Sequence, residues 1–360
     1  MKSISILIPT YNEAKNISSL IEKIEFTLKK VEWEIIFVDD DSPDNTSEVI
    51  QAISITKPNV KVIKRIKKRG LAGAILTGLS SCKFSKIVIM DADLQHDPIF
   101  INKLLDKMNK SNTKVVVGSR YVENATINNF NMIRRFGSKI MVKIFNFFSP
   151  IKLSDPMSGF FIIDKNFFLQ ISNKLSTNGY KILADIILNT PSNTNISQIP
   201  IDFKGRNAGE SKMSFRVMWD FILVIIHSIL KKYIPREYLS YIFVGLIGLS
   251  FHVITLYLLH KKIEIDFLTS HIVATLIAIL INYSLNNFLT FYVYNLSGFK
   301  WITGFIKYNV FCSYGVFISF SIAKTLTIYD FHWLIAGLLG AFTASIWNFT
   351  MSKFIIWKDN

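Results

Sequence analysis

Ile87-Val88-Ile89-Met90, followed by Asp91-Ala92-Asp93-Leu94-Gln95, is the stretch on which the fold turns. A short apolar run bounded by polar residues reads as a strand buried on both faces, as in a parallel sheet. Two carboxylates one residue apart at its carboxyl end project to the same side of the chain. Acids buried there are costly unless a cation neutralises them. A hard cation such as Mg²⁺ binds through one or two carboxylates and takes further ligands from substrate phosphates. The expectation is a nucleotide-diphosphate site at the edge of a sheet. For D-x-D alone, an exposed strand end capped by acids is the plainer alternative.

The neighbouring sequence supplies the rest of such a sheet. Short apolar runs at 3–8, 34–38, 60–63, 86–90 and 114–118 alternate with helical spacing over 14–30, from near Asn45, over 71–81 and over 98–110. Strands alternating with helices at this spacing predict an α/β fold with a mostly parallel sheet. Ligands then bind beyond the carboxyl ends of the strands. The polar motifs fall at those ends.

Half of the 360 residues are hydrophobic, but unevenly so: from Tyr238 onward the chain is almost continuously apolar. Four segments there, at about 238–259, 267–289, 305–325 and 333–356, reach the ~20 residues that a bilayer requires. Tyr241 and Gly248 recur as Tyr308 and Gly315 at an offset of 67, and Ala274, Leu276 and Asn286 recur as Ala336, Leu338 and Asn348 at 62, which suggests a duplicated hairpin. Asn282 and Asn286 share one helix face, and with Asn348 they are expected to hold the hairpins together.

Residues 214–237 form an amphipathic stretch that reads either as an interfacial helix and linker or as a packed helix of the soluble part. Seven Lys/Arg and four Asp/Glu follow Glu237, so +12 of the net charge of +15 lies before Tyr238. That charge suits anionic lipid or phosphorylated substrates. No nucleic-acid-binding motif accompanies it, so nucleic acid is not expected as a partner. Met1-Lys2-Ser3 runs directly into a strand, and basic residues precede the first span, so the catalytic part and the C-terminus are expected on the cytoplasmic side. Lys261 and Lys262 lie in the expected outer loop and agree less well. Cys82 and Cys312 fall one in each part and cannot staple the fold.

Further motifs stand at the strand ends. Pro9-Thr10-Tyr11-Asn12-Glu13 offers a rigid turn, a stacking face and an acceptor for a base edge. Val38-Asp39-Asp40-Asp41-Ser42-Pro43 places carboxylates where a ribose or base binds in doubly wound folds, or simply caps a helix. Gly118-Ser119-Arg120-Tyr121 provides an arginine able to grip phosphate bidentately. Asp155-Pro156-Met157-Ser158-Gly159-Phe160-Phe161 sets a carboxylate where an acceptor could approach, and Arg206-Asn207-Ala208-Gly209-Glu210-Ser211-Lys212 is a basic loop suited to closing over a pyrophosphate. Walker and G-x-G-x-x-G loops are absent, as is a Ser/His/Asp triad, and His96 is expected to shape its loop.

Taken together, IPTYNE, VDDDSPDNT, MDADLQHDP, GSRY, DPMSGFF and GESK make residues 4–213 resemble a family 2 glycosyltransferase of the polyprenyl-phosphate mannose synthase type. The remainder resembles a GtrA-like membrane domain. The resemblance implies a GT-A, Rossmann-like catalytic domain over 1–213, the 214–237 linker, and an all-α four-helix transmembrane domain over 238–360. It implies that Pro9, Tyr11, Glu13, Val38 and Asp40 hold guanosine. Asp91, Asp93 and Gln95 would arrange a divalent metal, Mg²⁺ or Mn²⁺, and the donor diphosphate, with the Ala92 backbone alongside. Arg120, Arg134 and Ser138 would hold the acceptor phosphate, with Arg206 and Lys212 on donor and acceptor phosphates. Relatives often carry a second basic residue where Ala208 stands.

The implied reaction is inverting transfer of mannose from GDP-mannose to dolichyl or polyprenyl phosphate. Two alternatives remain open at this point: a hexosyltransferase using a UDP-sugar, and a non-enzymatic lipid-linked sugar flippase or scaffold.

Overall fold

The computed structural model describes residues 3–66, 70–111, 113–122, 132–176, 181–202, 215–230 and 233–358. The chain divides into two compact units, Met1–Ile229 and Leu230–Asn360.

The first unit alternates strand and helix: β1 Ser3–Thr10, α1 Ala14–Thr27, β2 Glu32–Asp39, α2 Thr46–Thr56, β3 Val60–Lys64, α3 Leu71–Leu79, β4 Lys86–Ile89, α4 Phe100–Ser111 and β5 Val115–Ser119. Then follow α5 Met132–Phe148, β6 Phe161–Asp164, α6 Lys165–Ser172, α7 Ile182–Leu188, β7 Ile196–Pro200 and α8 Phe215–Ile229. The seven strands form one sheet in the order β3-β2-β1-β4-β6-β5-β7. Pairing is parallel except around β6, which runs antiparallel to both β4 and β5. Successive residues of a strand alternate between faces. Leu7, Ile36, Ile87 and Ile89 accordingly enter one core, while Ile6, Ile8, Phe37 and Val88 enter the other. Both faces are covered, which explains why these strands lack polar alternation.

Helix α8 is a packed element of the first unit. Phe221, Val224 and Ile225 are buried in its core, and the Phe221 ring lies 5.9 Å from that of Phe145. The boundary between the units falls after Ile229, within the stretch expected to be an interfacial linker.

The second unit holds α9 Arg236–Tyr257, α10 Phe267–Leu285, α11 Gly298–Ile328 and α12 Trp333–Met351. With their terminal turns, they give four apolar helices long enough to cross a membrane: Arg236–Lys262, Phe267–Thr290, Gly298–Ile328 and Trp333–Ile356. The third starts earlier than its expected 305, because Lys300 and Trp301 are helical yet dilute the apolar pattern.

The duplication is real, but its register differs from the expected offset of 62. Asp266 and His332 each cap the following helix, α10 and α12 begin at Phe267 and Trp333, and each ends in a widened turn, Asn286–Thr290 and Ser352–Ile356. That is a shift of 66 for the second helix of each hairpin, while Gly248 and Gly315 on the first helices keep the expected offset of 67. The partner of Asn348 is therefore Asn282, and that of Asn286 is Ser352. Asn286 accepts from Thr290 Oγ1 at 2.8 Å, and Thr290 bonds Ser240, all inside the first hairpin. The bonds between hairpins come from elsewhere. Trp357 Nε1 donates to Asn287 Oδ1 at 2.8 Å, its ring stacks on Phe291 at 4.6 Å, and Tyr238 donates to Ser345 at 3.2 Å. The expectation that Asn282, Asn286 and Asn348 hold the hairpins together is thus replaced by Asn287 and its aromatic neighbours.

Candidate active site

The sheet leaves β1 toward β2 on one side and β4 on the other, so a crevice opens where their carboxyl ends diverge. Such switch points bind ligands in open α/β folds. The loops after β1 and β2 are fastened together there. Asn12 N donates to Ser42 Oγ, Glu13 N to Thr46 Oγ1 and Ala14 N to Asp44 Oδ2, each at 3.0 Å. Asp39, fully buried, accepts from Ser42 N at 3.0 Å and from Thr10 Oγ1 at 3.2 Å. Pro9, Tyr11 and Glu13 stand half-buried on this platform, with Glu13 Oε2 accepting from Asn16 Nδ2 at 2.6 Å.

Two expected nucleoside contacts are qualified by their surroundings. The Val38 side chain is fully buried in the core, so only its backbone can meet a ligand. Asp40 is buried and clamped: Arg65 donates from Nε at 2.7 Å and from Nη2 at 3.0 Å, and Gly70 N donates at 2.7 Å. A base or ribose would share that carboxylate with Arg65.

Strand β4 stops at Ile89, so Asp91 and Asp93 sit on the following turn and not on the strand itself. Leu94 adopts φ +60°, and Gln95 N donates to Asp93 Oδ1 at 3.1 Å, closing a side-chain turn. Asp91, Asp93 and Gln95 are half-buried, whereas Ala92 is buried. His96 is buried beneath them, stacked on Phe160 with ring centroids 5.2 Å apart and Nδ1 3.9 Å from Asp91 Oδ2. Burial pushes its pKa down to about 4, so the imidazole is neutral at neutral pH.

Arg120, at the end of β5, is held by Asp155. Nε donates to Oδ2 at 2.7 Å, Nη2 to Oδ1 at 2.9 Å, and the Arg120 backbone N to Oδ2 at 3.2 Å. Asp155 is completely buried, which corrects the expectation that an acceptor could approach it; its task is to fix the plane of the guanidinium. Burial opposes the charge on Asp155, but Arg120 more than offsets this and holds its pKa below the usual range. Ser138 is also buried, with its hydroxyl bonded to the Tyr121 hydroxyl at 2.9 Å. It supports Tyr121 and is not presented to a phosphate in this conformation. The Arg134 side chain, Arg206 and Lys212 lie outside the described residues.

Two contributors escaped the sequence reading. Gly159 is the close-approach point of the Asp155 loop: a Cβ there would stand 2.5 Å from Asp91 Oδ2. Lys181 donates to the Met157 carbonyl at 3.3 Å and adds positive charge beside Arg120, Asp91 and Asp155. Its surroundings desolvate it, and with Arg120 they lower its pKa. No motif marks this lysine, which precedes an apolar helix in sequence. Among the described residues, no cluster of three His, Cys, Asp or Glu side chains could hold a metal. Two half-exposed carboxylates are nevertheless sufficient for a cation that also takes phosphate oxygens.

Gly159→Ala is expected to displace the Asp91 carboxylate and lower kcat/KM by roughly 10²-fold, of the size seen when a positioning group is shifted by about 1 Å. Unchanged kinetics with an unchanged fold would show that Asp91 has room to move.

Residues 5–171 match the model of glycosyl transferase family 2, and residues 240–357 match the GtrA/DPMS transmembrane domain. A dolichol-phosphate mannosyltransferase of Pyrococcus furiosus is 30% identical over 98% of this chain and 99% of its own length. The chain belongs to the dolichol-phosphate mannosyltransferase family. It is a membrane-embedded family 2 glycosyltransferase. The Saccharomyces cerevisiae dolichol-phosphate mannosyltransferase is 31% identical over 61% of this chain and 84% of its own. Among solved structures, glucosyl-3-phosphoglycerate synthase of Mycobacterium tuberculosis, with Mn²⁺, UDP and phosphoglyceric acid, superposes with TM-score 0.51 at 16% identity, covering 65% of this chain and 80% of that one. That likeness establishes the GT-A fold of the catalytic unit.

Proposed function

We propose that this glycosyltransferase transfers mannose from GDP-mannose to dolichyl or another polyprenyl phosphate, with inversion at the anomeric carbon, on the cytoplasmic face of the membrane. The observation that carries the reading is the convergence of Asp91, Asp93 and the Asp155-held Arg120 at the switch point of a GT-A sheet, in a chain that matches a dolichol-phosphate mannosyltransferase from end to end.

The β1 and β2 loops would seat the nucleoside, with Tyr11 and Glu13 toward the base. Asp91 and Asp93, with the Gln95 amide, fit a divalent ion such as Mg²⁺ or Mn²⁺, and Gly159 provides the room that the Asp91 carboxylate needs. Such an ion would neutralise charge on the departing diphosphate. The acceptor is a phosphate monoester whose second pKa is about 6, so it is largely anionic at neutral pH and requires no strong base. That agrees with a site whose one histidine is neutral and buried. Arg120 and Lys181 would then orient the acceptor phosphate and offset its charge, and catalysis rests on positioning and electrostatics. The basic residues before the first span support the cytoplasmic assignment.

A donor screen with the full-length protein tests the reading. Transfer from GDP-mannose to a polyprenyl phosphate is expected; transfer from a UDP-hexose alone would replace the donor, and absence of transfer from every nucleotide sugar would favour a flippase or scaffold. Arg206→Ala and Lys212→Ala are expected to reduce kcat/KM by roughly 10²-fold or more, because both charges serve developing phosphate charge. Wild-type kinetics in both variants would demote their loop to a surface feature.

A further inference from the structure

Between the hairpins of the membrane unit lies a cavity of about 350 Å³ whose lining differs from the apolar surface around it. Asn282 and Asn348 reach it from the two repeats, joined by Tyr241, Tyr308, Cys312 and Ser345. The two asparagines are placed alike. Asn282 lies so close to Gly248 that a Cβ there would stand 2.1 Å from Oδ1, and Asn348 meets Gly315 in the same way at 2.4 Å. Among the described residues, both Oδ1 atoms are buried without a hydrogen-bond partner. Side-chain amides carry both donors and an acceptor, and leaving the acceptor unmet in an apolar medium is costly. In the membrane, polar groups of this kind are expensive and need partners, from a neighbouring helix or from a ligand.

The cavity's chemistry narrows what it can hold. Among the described residues, no charged side chain lines it, so a phosphate or diphosphate would find no counter-charge. A prenyl chain has no use for paired amides. A sugar ring is neutral and offers several hydroxyls that each donate and accept. The volume is at the lower end of the roughly 300–1,000 Å³ typical of ligand pockets, suited to one such ring.

We propose that this cavity binds the uncharged glycosyl group of a lipid-linked sugar, with Asn282 and Asn348 hydrogen-bonding its hydroxyls. The choice of mannose as that sugar rests on the function proposed above; the cavity itself does not.

Cys312 lines the cavity and serves as the reporter, while Cys82 is buried in the catalytic unit. The full-length protein in lipid nanodiscs is treated with a small thiol reagent, with hexyl β-mannoside, hexyl β-glucoside, hexyl phosphate or hexanol present. Hexyl mannoside is expected to slow Cys312 labelling about tenfold at ten times its Kd, by mass action. Hexyl phosphate and hexanol should not. Asn282→Leu with Asn348→Leu should abolish protection, while helix content by circular dichroism and a monodisperse elution profile in detergent show that the membrane unit is folded. If that variant does not fold, the wild-type comparison among the four probes decides the matter. Protection by the glucoside in place of the mannoside would keep the cavity's role and overturn the donor assignment instead. Protection by no glycoside, or equal protection by hexanol, would overturn the proposal and leave a cavity for water or lipid chains.

Discussion

Replacing Asp93 by alanine is expected to reduce sugar transfer to background while the protein stays folded in the membrane. Asp93 is half-buried and accepts from Gln95 N at 3.1 Å. Losing a hydrogen bond of this kind costs about 1 kcal/mol, against total stabilities of roughly 5–15 kcal/mol. The chemistry loses far more. Removing one preorganised group that stabilises transition-state charge lowers kcat by roughly 10²–10³-fold, and a carboxylate that would hold the proposed metal should exceed that. Asp93→Asn separates the two effects, since it retains an acceptor for Gln95 N but removes the charge, and it should be as inactive as the alanine variant. The readout is labelled mannose transferred to lipid phosphate, beside a thermal melt in detergent. Near-normal turnover with a continuing need for divalent metal would place the metal site elsewhere.

The order of strands and helices up to Ser119 was legible because each strand is a short apolar run and each helix carries its own 3.6-residue stripe. Within those elements, the motifs at 9–13, 38–43 and 91–95 predicted the crevice, since polar residues at the carboxyl ends of buried strands have few structural reasons to be there. Burial of individual side chains was not legible. Val38 and Ser138 belong to motifs, yet one faces the core and the other supports Tyr121. Asp155 looked like a ligand contact because its role depends on β6 entering the sheet antiparallel, which brings its loop to Arg120. Gly159 belongs to a motif, but its role, like that of Lys181, comes from three-dimensional proximity to Asp91, which the sequence does not signal. In the membrane unit, apolar sequences match one another at many registers. The shift of 66 emerges only from caps and terminal turns, and with it the pairing of Asn282 with Asn348.

Breaking the Arg120–Asp155 pair is expected to damage stability and activity together, and the two losses can be separated. Asp155 is fully buried and the Arg120 side chain is 14% exposed, so either partner left alone is a poorly solvated charge. Removing one member of such a pair costs about 3–5 kcal/mol, whereas replacing both with apolar residues of similar size is often neutral. Arg120→Met should therefore lower the melting midpoint sharply, and Arg120→Met with Asp155→Leu should recover much of it. Neither should transfer sugar, because both lack the guanidinium. The pH dependence supplies an independent check. In the wild type, burial raises the Asp155 pKa but Arg120 lowers it further, so the net value is depressed. A depressed carboxyl contributes stability in full above its unfolded pKa of about 3.9, and loses it as pH falls through the folded value. In Arg120→Met the guanidinium that lowered the pKa is gone and burial pushes it up. That carboxyl then favours the folded state most when protonated, and stability should decline as pH rises above about 4, opposite in sign to the wild type. A wild-type melting midpoint in Arg120→Met at neutral pH, with the wild-type pH slope, would show that Asp155 does not depend on Arg120 and would remove the clamp from the site.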